Sequence, residues 1–167
     1  SGCVDVYKGQ DEAWTRSVLE ALDERVAIAA LPHVHWTDGA MLDLVRIGAR
    51  CREVGAALVI DGTQSVGALP FDVNAIQPDF LAVATYKWLL GPYSAGLIYV
   101  APKWQEGTPL EHTGINREGS EAFSNLFDFR ATYKPGARRY AGTRMDARSP
   151  YSLKSVVRVS ALARCES

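Results

Sequence analysis

Apolar positions recur along the first hundred residues in two rhythms, one helical and one of short unbroken runs. Trp14, Val18 and Leu22 fall at i, i+4 and i+8, which predicts a helix from an Asp11 cap to about Asp23. Val26–Leu31 is wholly apolar, as in a strand buried on both faces. A polar loop, Pro32–Gly39, separates it from a second stripe made by Met41, Leu44, Val45, Ile47, Cys51 and Val54. That spacing predicts a helix over Met41–Val54, stopped by Gly55. Ala57–Ile60 reads as a buried strand that ends on Asp61, and Gly62–Gly67 is small and polar. Leu69–Phe71 reads as a minor strand broken by Pro70. Phe80–Ala84 is another strand, followed directly by Thr85, Tyr86 and Lys87; Gly91–Gly96 turns the chain into a last strand, Leu97–Val100. Short buried strands alternating with helices predict an α/β fold, with a mostly parallel sheet and flanking helices.

Beyond about Pro102 the pattern weakens. Phe123, Leu126, Phe127 and Phe129 suggest a short helix packed on the sheet, Lys134–Gly142 reads as loop, and Tyr151–Ala163 is a poor helix because of Val156, Val157 and Val159. The 167 residues are 47% hydrophobic and 22% charged, which excludes a disordered or low-complexity chain. No apolar run approaches the roughly 18–20 residues of a membrane span, and Ser1–Gly9 has no signal-peptide core, so the expectation is a cytoplasmic protein without membrane partners. Cys3, Cys51 and Cys165 are too few and too scattered for a disulfide framework, in keeping with a reducing compartment. The formal net charge of −1 divides unevenly: residues 130–167 hold nine Lys/Arg against two Asp/Glu, or +7, leaving −8 on residues 1–129. The basic residues of the tail follow no reading motif, so no nucleic-acid partner is expected.

Candidate chemistry sits where open α/β sheets bind ligands, beyond the carboxyl ends of the strands. Asp61 and Lys87 both stand there, 26 residues apart. His35 and Trp36, in the loop after the first strand, face the same edge and are candidates for substrate contact; His33 and His112 are weaker ones. No His/Cys/Asp set has metal-ligand spacing, and no G-x-G-x-x-G or P-loop pattern occurs.

The run Asp61-Gly-Thr-Gln64-Ser65, then Pro78-Asp79-Phe80, then Thr85-Tyr86-Lys87-Trp88-Leu-Leu-Gly91-Pro92 resembles the class V aminotransferase family of pyridoxal-phosphate (PLP) enzymes. Tyr86 before the lysine is similar to the kynureninase and isopenicillin N epimerase-like branch, whereas the desulfurase branch commonly has His there. Gly136-Ala-Arg138-Arg139-Tyr140-Ala-Gly142 is similar to a later loop of the family. The resemblance runs from about Trp14 to Thr143. It implies a fold-type I large domain and a PLP-dependent transferase or lyase acting on an amino acid through a lysine-bound aldimine (Schiff base). In that reading Lys87 carries the cofactor and shuttles a proton at the substrate α-carbon, and Asp61 faces the pyridine nitrogen. Gln64 lies against the phenolic oxygen. Tyr86, and more weakly Thr85, contact the phosphate, with Gly142 and Thr143 reaching the partner's phosphate across a homodimer. A lysine amine with an ordinary pKa of about 10.4 is mostly protonated, so such a site must lower it through a nearby cationic ring and partial desolvation.

The resemblance also implies that residues 1–129 are part of the cofactor-binding domain. Residues 130–167 are then a loop and basic tail at the start of a missing C-terminal region. A central fragment of this kind is expected to be inactive alone, through truncation or a shifted frame. Two alternatives are a non-catalytic remnant of the fold and a receiver-like signalling module using Asp61, Thr85 and Lys87. Cys51 lies on a core stripe and Cys165 near the terminus, so desulfurization lacks an evident thiol.

Overall fold

The computed structural model describes residues 2–93, 95–109, 111–120, 122–125 and 131–141. Four strands form one sheet in the order β1-β2-β3-β4: β1 (Ile28–Pro32), β2 (Ala57–Asp61), β3 (Phe80–Ala84) and β4 (Gly96–Val100). The first three are parallel and β4 runs antiparallel to β3. The expected mostly parallel α/β sheet is therefore present. Register places Pro32 beside Asp61 and Asp61 beside Ala82, so the carboxyl ends of three strands form one edge.

Helix α1 (Gly2–Ala21) is far longer than the Asp11–Asp23 segment that periodicity predicts. No proline interrupts the upstream residues, and one Gly costs only about 1 kcal/mol in a helix interior. Asp11 is consequently inside the helix, and its carboxylate accepts from the Met41 N–H at 2.6 Å. Helix α2 (Leu44–Val54) starts three residues later than predicted because Asp43 is its cap, accepting from Arg46 N–H. Gly55 ends it in the left-handed region at φ 79°, as expected of a helix stop. Leu69–Phe71 forms no strand, only a bridge from Val66 to Leu69. The next element is a four-residue helix, α3 (Val73–Ile76), capped by Asp72 and not foreseen. Phe123–Asn125 makes a 3-10 turn, and Gly136–Tyr140 makes another inside the predicted loop. The remaining aromatic cluster (Leu126, Phe127, Phe129) and the Tyr151–Ala163 helix lie outside the described residues.

Leu58, Ile60, Leu81 and Val83 alternate onto one sheet face and pack with Leu44, Ile47 and Cys51 of α2. Each fully buried aliphatic chain there contributes about 1.5–3 kcal/mol. The opposite face is different. Ile28 is 63% exposed and Ala30 and Ala82 are also exposed, so among the described residues the sheet is covered on one side only. The two-sided burial read from the apolar run Val26–Leu31 is corrected accordingly. The strand itself begins at Ile28, after Val26 has closed a turn onto Asp23.

Candidate functional site

The open face carries a cavity of about 870 Å³ at the carboxyl edge of β1–β3. Its floor is small and apolar: Ala30, Val59, Ala82 and Ala84. Asp61 rises from the end of β2. The Asp61 main chain is fixed, since its carbonyl accepts from the His33 N–H at 3.1 Å. One carboxylate oxygen, Oδ1, accepts from the Thr63 N–H at 2.9 Å. The other oxygen has no protein donor among the described residues. Thr63 turns its hydroxyl oxygen to the Ala84 N–H at 3.0 Å, tying the ends of β2 and β3 together. Gln64 follows, half-buried, with a side-chain amide that no described residue engages.

Lys87 stands on the loop that leaves β3. Thr85 anchors that loop: its hydroxyl is fully buried and donates to the Ala95 carbonyl at 2.9 Å, while its own carbonyl accepts from Gly91 N–H. A β-carbon on Gly91 would collide with the Thr85 hydroxyl, so the loop closes this tightly only with glycine. The Tyr86 ring stacks on Tyr93 at 4.6 Å between centroids, and the half-buried Lys87 places Nζ 5.9 Å from the Tyr86 centroid. That distance is within cation–π range.

The cavity thus brings together Asp61, His35 and Trp36 from among the residues expected at the site. Trp36 is 77% exposed. Gln64, Tyr86 and Lys87 flank that wall on the adjoining turns without lining it, and the Thr85 hydroxyl is spent within the fold. Gly142 and Thr143 lie outside the described residues. Thr63 and Tyr93 line the cavity and escaped the sequence reading. The only signal for Thr63 was its place inside the Asp61–Gln64 turn.

The described residues contain no group of three or more His, Cys, Asp or Glu side chains that could hold a metal. No described helix is long and apolar enough to cross a membrane.

A sequence model of the family described as aminotransferase class-V matches residues 5–149. The chain belongs to that family. The receiver-like alternative falls with this match. A probable cysteine desulfurase of Methanothermobacter thermautotrophicus is 34% identical over 127 residues, covering 75% of this chain and 32% of the relative. A kynureninase of Cryptococcus neoformans var. neoformans is 28% identical over 137 residues, covering 80% and 30%. The solved cystine C-S lyase C-DES, in complex with its product cysteine persulfide, superposes with a TM-score of 0.64 at 22% identity, covering 78% of this chain and 34% of the other. A cysteine desulfurase from Thermococcus onnurineus NA1 gives 0.61, likewise at 22%, covering 79% and 32%. These likenesses establish a fold-type I architecture, and the chain spans about a third of the length of the relatives it matches.

Pyridoxal phosphate is the cofactor of the family. The cavity fits its ring end, with an apolar floor and an exposed carboxylate that has one oxygen no described residue engages, and the Gln64 amide lies on the adjoining turn. The phosphate end is less well served, because among the described residues no Lys or Arg lines the cavity.

Proposed function

We propose that this chain carries the cofactor-binding centre of a PLP-dependent enzyme that reacts an amino acid at its α- or β-carbon, by transamination, elimination or epimerization. The observation that carries the proposal is Asp61: exposed at the end of β2, in the cavity, with one oxygen uncommitted. When bound, PLP supplies an electron sink for charge developing at the substrate carbon. Asp61 would hold a proton on the ring nitrogen, which would keep that sink effective. Lys87 Nζ would hold the cofactor and would move the proton at the substrate α-carbon. Gln64 would donate to the phenolic oxygen and Tyr86 to the phosphate. Gly142 and Thr143 serve the phosphate of a second protomer in a homodimer. His35 and Trp36 face the substrate. Residues 1–129 belong to the cofactor domain and 130–167 to the loop and basic tail beyond it, and the enzyme works in the cytoplasm.

Desulfurization has less support. Cys51 is 1% exposed and burial pushes its thiol pKa up, so it offers no thiolate.

The test is chemical. The protein is mixed with excess PLP, reduced with borohydride and mapped by mass spectrometry. The label is expected on Lys87 and is expected to vanish in Lys87→Ala. Labelling of Lys103 instead, or equal labelling of all surface lysines, would refute the assignment, and specific labelling without turnover would identify a non-catalytic remnant.

A further inference from the structure

The loop between β1 and α2 is built around one side-chain contact. His35 Nδ1 lies 3.0 Å from Asp38 Oδ1 and 2.9 Å from the Thr37 hydroxyl. The same Asp38 oxygen accepts from the Ala40 N–H at 3.0 Å, and its second oxygen accepts from the Gln10 side-chain amide at 3.1 Å. The backbone closes on itself too, through Gly39 N–H to His35 O and His35 N–H to Ala40 O. The imidazole face stacks on Trp14 at 5.1 Å between centroids. Only Nε2 has no protein partner among the described residues, and His35 is part of the cavity wall that also holds Asp61.

A carboxylate is acceptor-only, so the nitrogen against Asp38 must be the one that carries hydrogen. The carboxylate on Nδ1 fixes which nitrogen of a neutral ring keeps a lone pair. We infer that Asp38 is a positioning residue: the Asp38–His35 contact holds the imidazole as its Nδ1–H tautomer, so that Nε2 accepts a hydrogen bond from the substrate's side chain. The inference rests on the cavity being the amino-acid site. In that site the α-carboxylate has no hydrogen to give and the α-amino group is committed to the cofactor. The donor is therefore on the side chain, and the substrate class is amino acids with a hydroxyl, amide or other N–H or O–H beyond the β-carbon.

Two measurements test this. The first is long-range 15N NMR of the histidine rings at about pH 8, where an ordinary imidazole is neutral. Wild-type protein is expected to show His35 with Nδ1 protonated and Nε2 bare. Asp38→Ser keeps a short acceptor for the Ala40 N–H, which preserves the turn, but withdraws the carboxylate from Nδ1. It is expected to shift His35 toward the Nε2–H form, while Asp38→Asn, whose amide oxygen still accepts, keeps the wild-type pattern. An unchanged tautomer in Asp38→Ser overturns the positioning role.

The second is steady-state kinetics of PLP-loaded protein of the relatives' full length, with amino acids that do and do not carry a side-chain donor. His35→Leu is expected to raise KM about tenfold for donor-bearing substrates and to leave the others unchanged. Equal changes for both sets overturn the substrate class. If wild-type protein takes no label on Lys87, the cofactor reading has failed, and the tautomer experiment still decides the role of Asp38.

Discussion

Asp61 and Asp79 are the same side chain at opposite ends of neighbouring strands, and the fold treats them differently. Asp79, just before β3, is 5% exposed and saturated: Oδ2 accepts from Leu58 N–H at 2.8 Å, and Oδ1 accepts from Trp104 Nε1–H at 2.7 Å and pairs with Lys103. Its backbone is also used, with N–H given to Leu58 O and the carbonyl accepting from Ala101 N–H. Asp61, at the far end of β2, is exposed and keeps an oxygen free. The lysines repeat the contrast. Lys103 is held by Asp79 and lies over Trp104, whereas among the described residues Lys87 meets only the Tyr86 ring. Among the described residues, the hydrogen-bonding capacity of the Asp79 side chain at the amino edge is used up, and that of Asp61 at the carboxyl edge is left partly open. Open capacity on a well-anchored backbone is what a binding site requires, because the protein groups must be fixed while their partner comes from outside.

Substituting each aspartate separately is the most direct way to break this comparison. Asp61→Asn is nearly isosteric and, in a protein of the relatives' full length, is expected to reduce turnover about 10²–10³-fold, the scale of losing one electrostatic contact to developing charge, with the unfolding midpoint unchanged. Asp79→Ala is expected to behave oppositely. It strands the buried Leu58 N–H and Trp104 Nε1–H, costing about 2–3 kcal/mol of stability, and leaves cofactor labelling of the folded fraction intact. Urea unfolding and amino-acid turnover on both variants decide the matter. Equal stability losses would show that the two edges do not differ.

A smaller effect sharpens the role of the Lys87 loop. In Gly91→Ala the new methyl group meets the Thr85 side chain, and overpacking of this kind costs about 1–3 kcal/mol. The strain falls on the turn that carries Lys87, so borohydride labelling at Lys87 is expected to drop. Gly55→Ala is the control. It has φ 79° but open space around a β-carbon, so it costs about 1–2 kcal/mol of left-handed strain without touching the label. Labelling lost equally in both variants would mean that global stability, not the loop, controls lysine placement.

The strands β2 and β3 were legible because unbroken apolar runs and their abrupt polar stops are local signals. The same runs misled about burial. Val26–Leu31 and its neighbours are apolar enough for two covered faces, and coverage depends on chain far away in sequence. The four-residue α3 was invisible to periodicity, since it has hardly more than one turn and is held by the Asp72 cap. Within the site, Asp61 was legible as the polar end of a strand. Asp38 was not, because its importance comes from a three-residue reach back to the His35 ring, and Trp14 joins that ring from the other end of a helix–strand unit.

The smallest expected effect concerns His33, which lies one residue past β1 and is 8% exposed, with a buried Nδ1 that has no partner among the described residues. Burial lowers its pKa from 6.5, so the folded protein resists protonating it. The unfolded chain binds that proton below about 6.5, and stability is therefore complete above that value and falls as pH drops through the lowered folded one. Asp79 acts in a separate window. Burial opposes its charge, but hydrogen bonds from Lys103, Trp104 and the Leu58 backbone outweigh that and lower its pKa. Its contribution persists above the unfolded value of about 3.9 and disappears as pH falls through the depressed folded one. An acid stability profile is thus expected to descend in two stages. His33→Leu, which replaces an unpaired polar ring by an apolar side chain, is expected to remove the upper stage and leave stability at pH 7 to 8 nearly unchanged. Asp79→Ala is expected to weaken the lower stage, which Asp23 and Asp38 share because hydrogen bonds lower their pKa as well, and to leave the upper stage in place. If His33→Leu leaves the upper stage in place, the group titrating there is another one, and the buried ring contributes nothing to the acid sensitivity of the sheet edge.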